Sequence, residues 1–109
     1  MFEDLFGSKS AEGVILYLAY LGEGHSRGIA TALDLSPSQI DRTMKRLEAG
    51  GIVVGQFIGR TRQYQLNPRL PFRKELIQLA DKILLAMPQS EREKYIERRR
   101  PRRTGKRLP

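Results

Sequence analysis

The segment of residues 36–51 constrains the fold more than any other part of this chain. It begins with Ser36 and Pro37, a helix start signal, because a serine hydroxyl accepts hydrogen bonds from the first turn and proline suits the first helical position. It ends at two glycines, which often terminate a helix. Between these ends, apolar residues recur at the spacing of one helix face. They are Ile40, Met44 and Leu47.

The opposite face of this predicted helix is basic and rich in hydrogen-bond donors. Its members are Ser38, Gln39, Arg42, Lys45 and Arg46. Such a face is most often simply solvated, but a helix of this kind after a short helix and a tight turn is also what a helix-turn-helix protein places in the major groove of DNA. Arg42 lies at the centre of the face, and an arginine can bond to guanine through two hydrogen bonds. It is therefore the first candidate for a base contact, and Lys45 and Arg46 are candidates for phosphate contacts.

Three further helices are predicted around this one, which is the third in chain order. The first covers residues 11–21 and is apolar on nearly every side, so it belongs in the centre of the fold or against a second subunit. The second is short, is capped by Ser26, and leads through a turn at residues 34–35 to the third helix. The fourth runs from Arg73 to about Met87, with an apolar face broad enough to pair with another copy.

After the two glycines the pattern changes from helical to extended. Residues 52–58 are rich in β-branched and aromatic residues, and residues 63–66 alternate polar with apolar, which predicts a β-hairpin. Arg60 and Arg62 make its turn basic, either as DNA contacts or as charges that keep a hairpin soluble. The predicted order is helix, helix, turn, helix, hairpin, helix, followed by a tail.

The positive charge is concentrated in that tail. The formal net charge is +8 at pH 7, and residues 98–107 carry seven positive charges and no negative one. These are Arg98, Arg99, Arg100, Arg102, Arg103, Lys106 and Arg107. The rest of the chain is nearly neutral, so any attraction for DNA there depends on where basic groups gather. Residues 89–109 are predicted to be disordered, and either bind nucleic acid without sequence preference or only aid solubility.

With these elements in this order, the sequence resembles winged helix-turn-helix transcriptional regulators of the broad group that includes the ArsR-like and MarR-like families. The resemblance covers about residues 5–87. It rests on residues 35–40 and 46–53 around the third helix, on residues 59–68 across the hairpin, or wing, and on a short match at residues 5–9. It implies a mainly α fold with a small β-hairpin, arranged as helix-helix-turn-helix-wing-helix.

The resemblance also implies where DNA would be contacted. The third helix would offer base or phosphate contacts from Ser36, Ser38, Gln39, Arg42, Thr43, Lys45 and Arg46. Ser26 and Arg27 would meet a phosphate at the start of the second helix. Arg60 and Arg62 would lie along the adjacent minor groove or backbone.

Other classes of function lack the residues they need. The chain has no cysteine and one histidine, His25, so we predict no metal and no cofactor and give His25 no special role. Without a thiol, a convergent set of carboxylates or a histidine with an acidic partner, we expect no enzymatic activity. The longest apolar run, residues 14–21, is far shorter than the roughly 20 residues that cross a bilayer. We therefore expect no membrane contact and a cytoplasmic, nucleoid-associated protein.

The sequence thus divides into a winged helix-turn-helix domain at residues 1–88, ending in a dimerisation helix, and a basic tail at residues 89–109. We expect a sequence-specific repressor of transcription that binds double-stranded DNA as a homodimer through its first and fourth helices. One alternative is a protein-interaction adaptor with the same fold, and another is an architectural protein that binds nucleic acid through its tail. The adaptor would bind no DNA site without the tail, whereas the architectural protein would bind unrelated sequences equally well.

Overall fold

The computed structural model describes residues 1–95 of the 109-residue chain, so the basic residues at 98–107 lie outside the described part. The elements are α1 (Glu3–Phe6), α2 (Lys9–Leu21), α3 (Ser26–Leu33), α4 (Pro37–Ala49), β1 (Val53–Ile58), β2 (Thr61–Leu66) and α5 (Arg73–Ala86). Residues 89–95 are also helical and are called α6. The first to fourth predicted helices correspond to α2, α3, α4 and α5. Over residues 1–95, every helix is too short or too polar to cross a membrane.

α2 is the central element of the fold. Its first turn is capped by Ser8, whose hydroxyl oxygen accepts a hydrogen bond from the Ala11 N–H at 3.0 Å, and residues 10–18 are all buried. α1, α4, α5 and β2 all pack against it. The apolar surface that suggested a subunit contact is therefore already covered within one chain. The prediction that this helix supplies the dimer surface is corrected accordingly.

His25 caps α3, and Ser26 is instead the first residue inside that helix. The His25 Nδ1 atom accepts a hydrogen bond from the Gly28 N–H at 3.1 Å. At the other end of α3, Asp34 adopts a left-handed conformation with φ of 57° and closes the turn that leads to α4.

The two ends of α4 form as the sequence predicted. Ser36 caps the helix, accepting a hydrogen bond from the Gln39 N–H at 3.1 Å, and Pro37 is the first helical residue. At the far end, the Ile52 N–H donates to the Leu47 carbonyl at 2.9 Å and the Gly51 N–H donates to the Glu48 carbonyl at 3.0 Å. This pair of bonds is the Schellman motif. It requires a left-handed residue, which Gly51 supplies with φ of 78°, and it directs the chain into β1.

β1 and β2 form an antiparallel hairpin, the wing, in which Val53 pairs with Leu66 at the base and Ile58 with Thr61 at the tip. The base is buried against the helices and the tip is exposed. The loop between α2 and α3 adds a contact that the sequence analysis did not predict. The Gly24 N–H donates to the Tyr64 carbonyl at 3.0 Å, and the Tyr64 N–H donates to the Gly24 carbonyl at 2.8 Å. β2 is thereby attached to the start of α3.

α5 packs on α2 through one side only. Leu84 is buried there, whereas Leu79 and Leu85 are 42% and 72% exposed. The chain then turns into α6, where Tyr95 is only 5% exposed and belongs to the hydrophobic core. Burial raises the pKa of the Tyr95 hydroxyl above its usual range. The packed domain therefore extends at least to Tyr95, and the predicted boundary after residue 88 is corrected.

Candidate DNA-binding surface

The outer face of α4 has no role in packing. Ser38, Arg42 and Lys45 are all exposed, and their spacing of four and then three residues places them on one side of the helix. Gln39 and Arg46 are exposed beside them. Among residues 1–95, no acidic side chain forms an ion pair with the three basic residues of this face. Their donors are therefore available to a ligand.

Thr43 is the exception among the α4 candidates. Its side chain is 4% exposed, and its Oγ1 atom forms a hydrogen bond with the Ser10 Oγ atom of α2 at 2.7 Å. It follows Ile40 by three residues and precedes Met44, so it falls on the buried stripe. A buried hydroxyl with a partner inside the protein does not contact DNA. Thr43 is therefore removed from the set of candidate contacts.

Ser36 is already engaged by its role as a cap. Its hydroxyl oxygen accepts the Gln39 N–H and also lies 3.2 Å from the Ser38 Oγ atom. Within residues 1–95 the Gln39 side chain makes no hydrogen bond, so the return bond of a capping box does not form. The Gln39 amide group is consequently left for a ligand, whereas Ser36 serves the helix.

An open cleft of about 500 Å³ joins the start of α3 to α4 and the wing. Its lining residues are His25, Ser26, Arg27, Asp41, Arg60, Thr61, Arg62 and Tyr64. The cleft thus brings together Ser26 and Arg27, which are predicted from the sequence to meet a phosphate, and Arg60, which is predicted to lie along the minor groove or backbone. Asp41 was not singled out from the sequence, and its carboxylate reduces the positive charge of the cleft. The N-terminal end of α3 thus lines the cleft, and helix N-termini favour anions.

The two arginines of the wing occupy different environments. Arg60 is exposed at the tip. Arg62 forms an ion pair with Glu48 of α4, which raises the pKa of Arg62. Its guanidinium carbon also lies 5.3 Å from the centre of the Phe57 ring and 5.6 Å from that of Tyr64. The sequence analysis placed both arginines along DNA, but only Arg60 lacks an ion-pair partner among the described residues.

The described part of the chain contains no group of three or more histidine, cysteine, aspartate or glutamate residues arranged to hold a metal ion. The one histidine, His25, already uses its Nδ1 atom to cap α3.

No protein-family model and no curated protein sequence matches the chain, but solved structures do. A mutant of ZitR from Lactococcus lactis in its apo form is 22% identical, with a TM-score of 0.56 over 72% of this chain and 62% of that chain. The adhesin competence repressor AdcR from Streptococcus pyogenes is 18% identical, with a TM-score of 0.51 over 79% of this chain and 72% of that chain. The present chain thus spans less than two thirds of the length of ZitR.

These matches bear on the fold, and they agree with the observed order of elements. α3, the turn at residues 34–36 and α4 form a helix-turn-helix unit, the β1–β2 hairpin follows as a wing, and α5 follows the wing. The predicted architecture is confirmed, and the resemblance is confirmed at the level of the fold. The chain has the winged helix-turn-helix fold.

Proposed function

We propose that this protein binds double-stranded DNA at specific sequences, as a homodimer, and represses transcription. One observation carries the proposal: the outer face of α4 presents Arg42 and its polar neighbours to solvent, while the inner face is anchored by Ile40 and Met44, both 0% exposed. A helix held rigidly from behind with donors in front suits the major groove, where base edges offer distinct patterns of hydrogen-bonding groups. The protein would act at the nucleoid without catalysing a reaction.

The cleft between α3 and the wing supports the same mode of binding. With α4 in the major groove, Ser26 and Arg27 at the start of α3 would meet the phosphate backbone beside it, as helix N-termini commonly do. Arg60 at the tip of the wing would reach the neighbouring backbone or minor groove. Lys45 and Arg46 would add phosphate contacts from the C-terminal half of α4. These contacts position the protein, whereas Ser38, Gln39 and Arg42 would distinguish the bases.

In the proposed homodimer α5 supplies the contact surface, because residues 10–18 of α2 are buried within the chain. Leu79 and Leu85 leave apolar surface exposed on α5, and such surface favours association. A two-fold pair of α4 helices would contact half-sites about one helical turn, or roughly 34 Å, apart. The role as a repressor is suggested by AdcR, which is named as a repressor.

The absence of a metal is not part of the proposal. ZitR was solved in an apo form, a state defined by the loss of a ligand, so the comparison does not support the metal-free regulator that the sequence predicted. DNA binding should therefore be measured both with and without a metal chelator.

The test is a selection of bound duplexes from a random DNA pool at near-physiological salt. It compares the full chain with a full-length variant whose seven basic residues at 98–107 are replaced by glutamine. Enrichment of the same inverted repeat by both proteins is the expected result. Enrichment that disappears with the tail charges would favour the architectural alternative. Failure of either protein to enrich any site would favour an adaptor.

A further inference from the structure

β2 is attached to the helices at two neighbouring points. At Tyr64 its backbone exchanges two hydrogen bonds with Gly24, ahead of α3. Two residues closer to the tip, the Arg62 side chain pairs with Glu48 of α4. The Gly24 bridge uses the backbone edge of β2 that faces away from β1, whereas the Arg62 side chain lies on the same face of the strand as the buried Tyr64 side chain. Beyond Arg62, the tip residues Arg60 and Thr61 are exposed.

The partner of Arg62 is held in place by the backbone. Glu48 lies in the last turn of α4, and its carbonyl accepts the Gly51 N–H within the Schellman motif. Its carboxylate therefore projects from a turn with little freedom, and the backbone between Glu48 and β1 is equally constrained. An arginine on β2 that pairs with Glu48 fixes the distance between α4 and the hairpin.

The wing itself is shaped to hold the Arg62 side chain. Arg62 pairs across the hairpin with Phe57, and Tyr64 pairs with Gly55. A Cβ atom at position 55 would lie 2.7 Å from the Arg62 Nε atom and 2.8 Å from the Tyr64 Cε1 atom, distances that are too short for a side chain. A glycine, two aromatic rings and a carboxylate thus surround one guanidinium group, and we call these four residues with Arg62 the Arg62 site.

We propose that Arg62 is a positioning residue that sets the angle of the wing relative to α4, and that Arg60 alone carries the wing's charge to DNA. A guanidinium whose charge is already paired with a carboxylate, and which lies beside two aromatic rings, attracts a phosphate less strongly than an unpaired one. Arg60 has no ion-pair partner among residues 1–95. This inference rests on the proposed DNA binding, but it concerns a contact inside the protein that can be measured without DNA.

Replacement of Glu48 distinguishes the positioning role from simple electrostatics, because the two predict opposite changes in DNA affinity. Removing a negative charge beside a DNA-binding surface should raise the affinity if only long-range electrostatics matter. If Glu48 instead holds Arg62 and thereby the wing, the same change lowers the affinity. For a half-exposed ion pair, we expect the Glu48→Gln variant to bind about two- to fivefold more weakly.

The first experiment measures affinity for the selected duplex as a function of salt concentration. It uses the full chain and the variants Glu48→Gln, Arg62→Gln and the double mutant, with Arg60→Gln as the matched control. We expect the first three to lose affinity by a similar factor with an unchanged salt slope, and the control to lower the slope by about 1 because a phosphate contact is gone. A gain of affinity in Glu48→Gln, or a slope lowered by about 1 in Arg62→Gln, would overturn the proposal.

The second experiment needs no DNA and separates the two proposals. Amide hydrogen exchange in β1 and β2 should accelerate in the full-length Glu48→Gln and Arg62→Gln variants, remain unchanged in Arg60→Gln, and remain slow in α2 of all three. Unchanged exchange in the hairpin of Glu48→Gln would refute the positioning role whether or not the protein binds DNA. Faster exchange in a protein that selects no duplex would support the role of Arg62 and reject the proposed function.

Discussion

α4 and the wing both present basic side chains on the same side of the molecule, but they differ in how they divide buried from exposed residues. On α4, the 3.6-residue period divides the buried Ile40 and Met44 from the exposed Arg42, so each residue serves either the core or the surface. On the wing, the two-residue period places Arg62 on the same face as the buried Tyr64. A basic residue can therefore be drawn into packing on a hairpin. A basic side chain is thus a more reliable sign of an exposed position on a helix than on a short wing.

The largest effect should come from the inner face of α4. Met44→Ala is expected to lower the free energy of unfolding by about 2–5 kcal/mol, because Met44 is fully buried and its truncation leaves a cavity. Urea denaturation measures this loss. The neighbouring exposed residue provides the control: Lys45→Ala should stay within about 0.5 kcal/mol of the original protein. Similar losses in both variants would contradict the division of α4 into two faces.

The corresponding change in the wing is Gly55→Ala. The added methyl group would collide with Arg62 and Tyr64, and such overpacking costs about 1–3 kcal/mol. Gln56→Ala, one residue along the strand and exposed, serves as the control. Urea denaturation of both variants should show a loss for Gly55→Ala only. An unaffected Gly55→Ala variant would mean that the Arg62 site tolerates rearrangement, which would weaken the contrast with α4.

The outer face of α4 is tested by Arg42→Ala. We expect the binding free energy for the selected duplex to weaken by about 1–3 kcal/mol. The change on unrelated DNA should be smaller, because a base contact is lost rather than a phosphate contact. The free energy of unfolding should hardly change, since Arg42 is exposed. Titrations with the selected duplex and with a random duplex give the two binding free energies, and urea denaturation gives the free energy of unfolding. An equal loss on both kinds of DNA would reassign Arg42 to the phosphate backbone.

The smallest expected effect concerns Thr43, one residue further along. Thr43→Val removes the hydrogen bond to Ser10 and is expected to cost about 1 kcal/mol of stability, with no change in DNA affinity. Thermal denaturation and the duplex titration check the two halves of this prediction. Weaker DNA binding by a variant of unchanged stability would return Thr43 to the contact surface.

Regular periodicity explains why most of the fold was predictable from the sequence. Ser36 with Pro37, the apolar stripe of α4 and the glycines after it each have a local cause, and all formed as expected. Thr43 was assigned to the wrong face because it lies at the edge of the buried stripe of α4, next to the exposed Arg42. The cap of α3 was missed because histidine is an uncommon capping residue beside a serine.

The remaining errors involve contacts between distant parts of the chain. The pairing of Glu48 with Arg62 and that of Gly24 with Tyr64 depend on how the hairpin docks, which no local pattern encodes. The coverage of α2 likewise depends on where α5 packs. Tyr95 follows a proline and a run of charged residues, so its burial in the core had no signal in the composition. The sequence therefore identified the elements and the exposed basic face of α4, whereas the docking of the wing required the structure.

The backbone bridge between Gly24 and Tyr64 has a consequence for how the protein folds and evolves. A two-stranded hairpin is marginally stable by itself in water, and this bridge joins it to residues forty positions earlier in the chain. The wing should then become ordered late in folding, after α2 and α3 have assembled, because contacts of long sequence separation form slowly. It also follows that insertions in the loop at residues 22–25 will alter the wing without changing any wing residue. Under the proposed function, such an insertion would change how the wing meets DNA.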